Sequence, residues 1–272
     1  NFKTIENQLI YSKSESIQLR RLNFNLKMLF TPKFSNQFWV GMNARNEIIS
    51  DEIMNLNPAY NGLELNKLLH LGVYAGFKFD GRDIRGYAKE GSLIWAQIGF
   101  FTFPKYATLS YPQLEARYIR HVPFGNNADL ALASMLKISP DKIRPYTLNR
   151  GLGWGLNSLR TYDYFVVDGS SYFAQKASIR YRLIDREIEV AKFPIKQFRK
   201  IPFKMAPILF FDLGYVQIQT NLSYGDFLIR PIFSYGFGLD FVVFDDAVWR
   251  FEYCWNHTGQ AAFFLNFTSA IQ

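Results

Sequence analysis

The sequence predicts an all-β fold, a transmembrane antiparallel β-barrel of about twelve strands. Three observations lead there. Strand-length segments alternate with period two, one face apolar or aromatic and the other polar or small. Aromatic residues make up 18% of the 272-residue chain, with 27 Phe, 16 Tyr and 5 Trp, yet the mean hydropathy is only -0.09, so apolar bulk is balanced throughout by polar groups. Finally, no run approaches the roughly 18 apolar residues of a spanning helix, and the longest patches, such as "PILFF", are strand-sized. A water-soluble sandwich also alternates, but its polar faces look outward and its core favours Val, Ile and Leu. A membrane barrel inverts this, with apolar and aromatic groups outside and a polar lumen.

Taken in chain order, the first predicted strand, 3–11, has the poorest alternation ("TIENQLIYS"). The second, 17–30, contains "RLNFNLKMLF", in which Leu22, Phe24, Leu26, Met28 and Phe30 oppose Arg21, Asn23, Asn25 and Lys27. After 36–48, the strand 67–80 places Leu69, Leu71, Val73, Ala75, Phe77 and Phe79 against His70, Gly72, Tyr74, Gly76 and Lys78. Strands at 92–103, 111–123 and 128–139 precede a long connection, 140–171, and then come 172–184 and 203–216. In 229–243, Phe233, Tyr235, Phe237, Leu239, Phe241 and Val243 oppose Ser234, Gly236, Gly238 and Asp240. In 247–256, Trp249, Phe251, Tyr253 and Trp255 oppose Arg250, Glu252, Cys254 and Asn256, and 260–271 closes the series. An even strand count with both ends periplasmic puts 49–66, 140–171 and "QIQTNLSYGDF" outside and the tight turns "TPKFS", "PFGNN" and "FDD" inside. The connection 185–202 is too long and too basic for a simple turn, and is expected to lie along the membrane surface or to meet a partner. The chain reads as a single domain, 1–272, and it opens at Asn1 with no basic-then-apolar leader, which fits a mature processed chain.

A formal charge of +8 invites an anionic counter-surface: nucleic acid, anionic lipid or an acidic partner. By strand parity Arg180, Arg182, Lys204 and Arg250 face the lumen, as do Arg21, Lys27, Arg45, Lys78, Arg117 and Lys137, against Glu115, Asp129, Asp212, Asp240 and Glu252. A paired structural network is the favoured account of these charges, ahead of an anion path. Trp249, Tyr253 and Trp255 share the outward face with Phe251, which suits an interfacial aromatic belt better than base stacking, so nucleic acid is not an expected partner. The single cysteine, Cys254, excludes an intrachain disulfide. His70, His121 and His257 lie on separate segments without ligand spacing, so neither metal nor other cofactor is expected. No G-x-S-x-G elbow appears, and Glu115 and Glu252 read as lumen charges, so the chain is not expected to be an enzyme.

The connection 140–171 carries "GLGWGLNSLRTY", with Gly151, Gly153, Gly155, Leu159, Arg160, Thr161 and Tyr162. A phosphate-binding loop would need a following helix, and a strand follows instead. The next strand but one carries "FFDLG", Phe210 to Gly214, after which comes the glycine-alternating "YGFGLDF" and a closing strand pair. This order resembles the C-terminal barrel of the BamA/TamA superfamily, the bacterial surface antigen family, in which a loop bearing a [VL]-R-G-[YF] tetrapeptide folds into the lumen and a later strand carries F-x-D-x-G. The resemblance covers residues 110–272 well and the front half by general barrel character. It implies that 140–171 plugs the lumen and that Arg160 reaches Asp212, whose parity already points it inward with Lys204 and Gly214. A lone charge in a partly dry lumen is costly, and an Arg–carboxylate pair offsets that cost with directed hydrogen bonds. The chain departs from the family at Thr161, where glycine is the rule and a turn of positive φ is therefore disfavoured, and at Arg180, where many members have glutamate. Members with full activity also carry periplasmic peptide-binding domains and about sixteen strands.

The resemblance implies a bacterial outer-membrane barrel acting in outer-membrane protein or lipid biogenesis or transport, or as the membrane subunit of a complex. A passive porin-like channel and a membrane anchor or scaffold are the alternatives. The expected partners are membrane lipids and either a second copy of the chain or another membrane or periplasmic protein.

Overall fold

The computed structural model describes residues 2–5, 8–11, 19–56, 66–140, 145, 148–152, 159–163, 165, 167–189, 200–217 and 231–267. In chain order the strands are β1 (Phe2–Ile5), β2 (Gln8–Tyr11), β3 (Leu19–Lys33), β4 (Asn36–Ile49), β5 (Lys67–Asp80), β6 (Gly91–Thr102), β7 (Tyr111–Phe124) and β8 (Ala128–Ile138). They continue as β9 (Arg150–Leu152), β10 (Val167–Asp168), β11 (Ser171–Tyr181), β12 (Ile184–Glu189), β13 (Lys200–Gln217), β14 (Ile232–Val243), β15 (Ala247–Asn256) and β16 (Ala261–Phe267). A short helix, α1 (Asp51–Leu56), sits between β4 and β5. The main sheet has twelve strands, all paired antiparallel, in the spatial order β16-β15-β14-β13-β11-β8-β7-β6-β5-β4-β3, with β12 added to β13.

The faces follow the sequence parity. On β5 the odd residues from Leu69 to Phe79 lie outside, while Leu68, His70, Gly72 and Asp80 are buried within. On β14 and β15 the outward residues form cross-strand aromatic pairs: Tyr235 opposite Trp255 with ring centroids 5.7 Å apart, and Phe237 opposite Tyr253 at 6.0 Å. Pairs of this kind each add roughly 0.2–1 kcal/mol to a sheet. Trp249 lies near the short-turn end of β15, and Tyr253 and Trp255 near the opposite end. Six residues of strand separate Trp249 from Trp255, about 20 Å, so the aromatics mark two levels of the outer surface, as interfacial belts do.

Two segments differ from the sequence expectation. Residues 3–11 do not form one membrane strand: β1 and β2 pair with each other, from Phe2↔Tyr11 to Ile5↔Gln8, in a separate hairpin. The poor alternation there explains it, because a strand without an apolar face gains little from the lipid-facing wall. The basic connection 185–202 does not start or end as a loop along a surface. Its flanks continue the sheet as a β12–β13 ribbon, in register from Ile184↔Met205 to Glu189↔Lys200.

Following the path from β3 to β16, each strand reverses the last. Eleven strands lie on that path, so β3 and β16 run in the same direction. Among the described residues no pairing joins them, and both present an unpaired edge. One further strand running the other way is what antiparallel closure lacks.

Candidate functional site

Two connections turn back into the lumen and meet the inward faces of the β8–β15 wall. The first enters from the long-loop end. Its stem is the two-stranded ribbon of β9 and β10, and the "LRTY" segment, 159–162, lies between these two strands. Leu152, Leu159, Tyr162, Phe165 and Val167 are buried against the inward side chains Met135, Tyr172, Ala174, Val216 and Ile232. Gly214 of the "FFDLG" motif makes this fit possible. A Cβ there would lie 2.5 Å from Leu159 Cδ1 and 2.7 Å from Leu152 Cδ1, distances real side chains do not tolerate.

Arg160 is the polar centre of this stopper. Its Nη1 donates to Asp212 Oδ1 at 3.0 Å, its Nη2 donates to Ser178 Oγ at 3.1 Å, and its Nε lies 3.0 Å from Glu252 Oε1. The guanidinium also stacks 4.1 Å from the centre of the Phe210 ring. The structure thus brings Arg160 and Asp212 together and adds Glu252, which sequence parity had marked only as a lumen charge. Lys176 stands directly across from Asp212 in the β11–β13 register. The cluster then holds two cations and two carboxylates, a balance that suits a site in which Asp212 and Glu252 are almost wholly hidden from solvent.

At Thr161 the sequence expectation is overturned. Its φ is +71°, the left-handed region that a β-branched residue rarely enters. The turn is the one a glycine would make, and threonine makes it because both neighbours are anchored: Arg160 by the wall carboxylates, and Tyr162 by its Oη, which meets Phe233 O at 3.0 Å and His257 Nδ1 at 2.6 Å. Burial raises the Tyr162 phenol above its ordinary pKa and lowers the His257 imidazole below its own, so both groups stay uncharged near neutral pH. Gly151 lies in the β9 stem; Gly153 and Gly155 lie outside the described residues.

The second stopper enters from the opposite end and was not legible as one. The connection between β5 and β6, "GRDIRGYAKE", folds inward and buries Gly86, Tyr87 and Ala88. Asp83 ties the loop by accepting the Lys89 N–H at 3.0 Å. Tyr87 packs on Val242 and Val248 and donates from its Oη to Asp240 Oδ2 at 3.0 Å. Burial, reinforced by that carboxylate, raises the phenol's pKa and keeps it a neutral donor. Arg250 holds both oxygens of Asp240, at 2.6 and 2.7 Å. On the other side Arg180 stacks 4.4 Å over the Tyr87 ring and donates to Ala88 O and to Asp129. Arg182 donates to the second Asp129 oxygen at 2.6 Å. Arg180, where the resembled family often has glutamate, therefore serves a wall carboxylate and a loop carbonyl together. Lys204 pairs with Asp245 in the β14–β15 turn, against which Gly86 is packed. The signal in the sequence was length: ten residues, 81–90, where its neighbours at the same end, "TPKFS" and "FDD", are tight turns.

No family model and no curated protein matches the sequence. Among solved structures the fold is similar to that of BamA from Haemophilus ducreyi lacking POTRA domains 1-3, with 14% identity and a TM-score of 0.57. The match covers 92% of this chain and 53% of that one, so the chain spans about half the length of the structure it resembles. At that identity the likeness is one of fold: an antiparallel barrel of this class.

Proposed function

We propose that the chain is an outer-membrane barrel that assists the insertion or transport of protein or lipid through a seam between β3 and β16. The observation that carries this reading is the pair of unpaired edges running in one direction. An unpaired edge presents free N–H and C=O groups to an incoming strand, and in lipid such groups cost several kcal/mol each unless a partner satisfies them. The two stoppers support the reading from another side, because a lumen filled from both ends favours a route along the wall over one through the middle.

Crosslinking across the seam tests it. Cysteines placed at Phe24 on β3 and Leu265 on β16, joined by a thiol-specific crosslinker in cells, are expected to lower the outer-membrane content of other barrel proteins or of surface lipid, and a cleavable linker is expected to restore it on reduction. Full crosslinking with unchanged membrane content sinks the seam. A scaffold role is the second reading, motivated by the β12–β13 ribbon, where Leu183 and Ile188 stand exposed beside Asp185, Arg186 and Glu187. Such a ribbon offers an edge and apolar anchors to a membrane or periplasmic partner, a second copy included.

A further inference from the structure

The lumen is not filled evenly. Between the inner stopper and the β5–β7 wall lies a cavity of about 690 Å³, within the range of ordinary small-molecule sites. Its apolar side is unusual for a barrel interior: Leu93 and Ile119 point inward with Trp95, on which Trp39 stacks with ring centroids 5.9 Å apart. Its polar side is unevenly charged. Lys78, Arg82 and Arg85 all converge on Asp80, which is buried. Arg82 takes both carboxylate oxygens, at 2.8 and 3.0 Å. Lys78 Nζ at 3.5 Å and Arg85 Nε at 3.9 Å are left with charge attraction but no good hydrogen bond to it. Arg117 adds a fourth cation, 5.6 Å from the Trp95 ring centre, while Glu115 and Asp246 are the remaining carboxylates of the lining. At the two stoppers the acids are closed by arginine: Asp129, Asp212 and Asp240 are each bonded to a guanidinium. Among the described residues, three cations share one acid around Asp80 alone.

We propose that this cavity binds an anionic amphiphile, with a phosphate or carboxylate headgroup set between Lys78 and Arg85 and an apolar body against Leu93, Trp95 and Ile119. Excess positive charge in a partly desolvated site favours an anion, and an aromatic and aliphatic wall beside it favours one attached to hydrocarbon. The headgroup chemistry is shared by membrane lipids and by soluble phosphate esters, and the apolar wall selects the former. The site is separate from the seam: a barrel crosslinked between β3 and β16 retains it.

Calorimetric titration of the folded barrel in a neutral maltoside detergent tests the proposal with three probes: decyl phosphate, inorganic phosphate and decyltrimethylammonium. Decyl phosphate is expected to bind once per barrel and at least about tenfold more tightly than either other probe. The double substitution Lys78→Gln/Arg85→Gln keeps the Arg82–Asp80 pair, and an unchanged melting temperature will show that the barrel is intact. It is expected to weaken decyl phosphate by about tenfold or more, as loss of charge-assisted contacts does. Equal affinity in that variant, or equal affinity for the cationic probe, overturns the anion site. Equal affinity for inorganic phosphate overturns the apolar half of it, and absence of decyl phosphate binding overturns the whole.

Discussion

The two stoppers close the same lumen by different physics. The outer one supplies a charge to the wall: Arg160 bridges the buried Asp212 and Glu252, which otherwise have Lys176 across the register from Asp212 and the Asn266 amide donating to Glu252. The inner one bonds Asp80 of β5 through Arg82 at its base, but at its buried tip Tyr87 supplies a neutral ring to wall charges that are already paired, Arg250 with Asp240 and Arg180 with Asp129. A contact that completes a buried ion cluster is held to the wall by the cost of leaving carboxylates uncompensated, whereas the Tyr87 ring, which adds packing and one phenol hydrogen bond, is held by less. The difference makes Arg160 the strong single anchor of the outer stopper and Tyr87 a weaker one at the tip of the inner stopper.

Arg160→Ala should have the largest effect, a loss of about 3–5 kcal/mol, because one partner of a buried pair is removed and the other stays. Urea unfolding of the barrel in lipid vesicles measures it, and protease sensitivity within 140–171 should rise in parallel. An Arg160→Ala midpoint equal to that of the parent would erase the distinction between the stoppers. Tyr87→Phe should cost only about 0.5–1.5 kcal/mol, one hydrogen bond, since Asp240 keeps both bonds from Arg250. A loss as large as that of Arg160→Ala would make Tyr87 an anchor equal to Arg160. Thr161→Gly should have the smallest effect and the opposite sign. Relief of the left-handed conformation returns about 1–2 kcal/mol, and the greater freedom of glycine in the unfolded chain takes back about 0.5–1 kcal/mol. A net gain of about 0–1.5 kcal/mol is expected in the same unfolding assay, and a loss would mean that the Thr161 hydroxyl's bond to Arg160 O outweighs the strain.

Period-two alternation made the sheet legible because each lipid-facing strand must carry its apolar groups on one side, whatever its neighbours are. β5, β14 and β15 could be oriented residue by residue on that basis alone. Asp212 was legible as an inward acid by the same parity, and Arg160 as its partner through the motif order. Glu252 was legible as inward but not as a ligand of Arg160, because alternation fixes a face and says nothing of depth along the lumen. Tyr87 was invisible to alternation, since it belongs to no strand.

Local periodicity, then, determined the architecture: an all-β wall with grease outside and charges within, because a strand's two faces meet two different solvents regardless of chain topology. The tertiary structure alone decided which charges meet. It brought residue 87 to residue 240 and residue 160 to residues 178, 212 and 252, left three cations on Asp80, and forced Thr161 through a turn its own side chain resists. Each of these depends on register and on how a curled sheet places distant strands face to face, which are sums of many weak long-range choices that no short stretch of sequence contains.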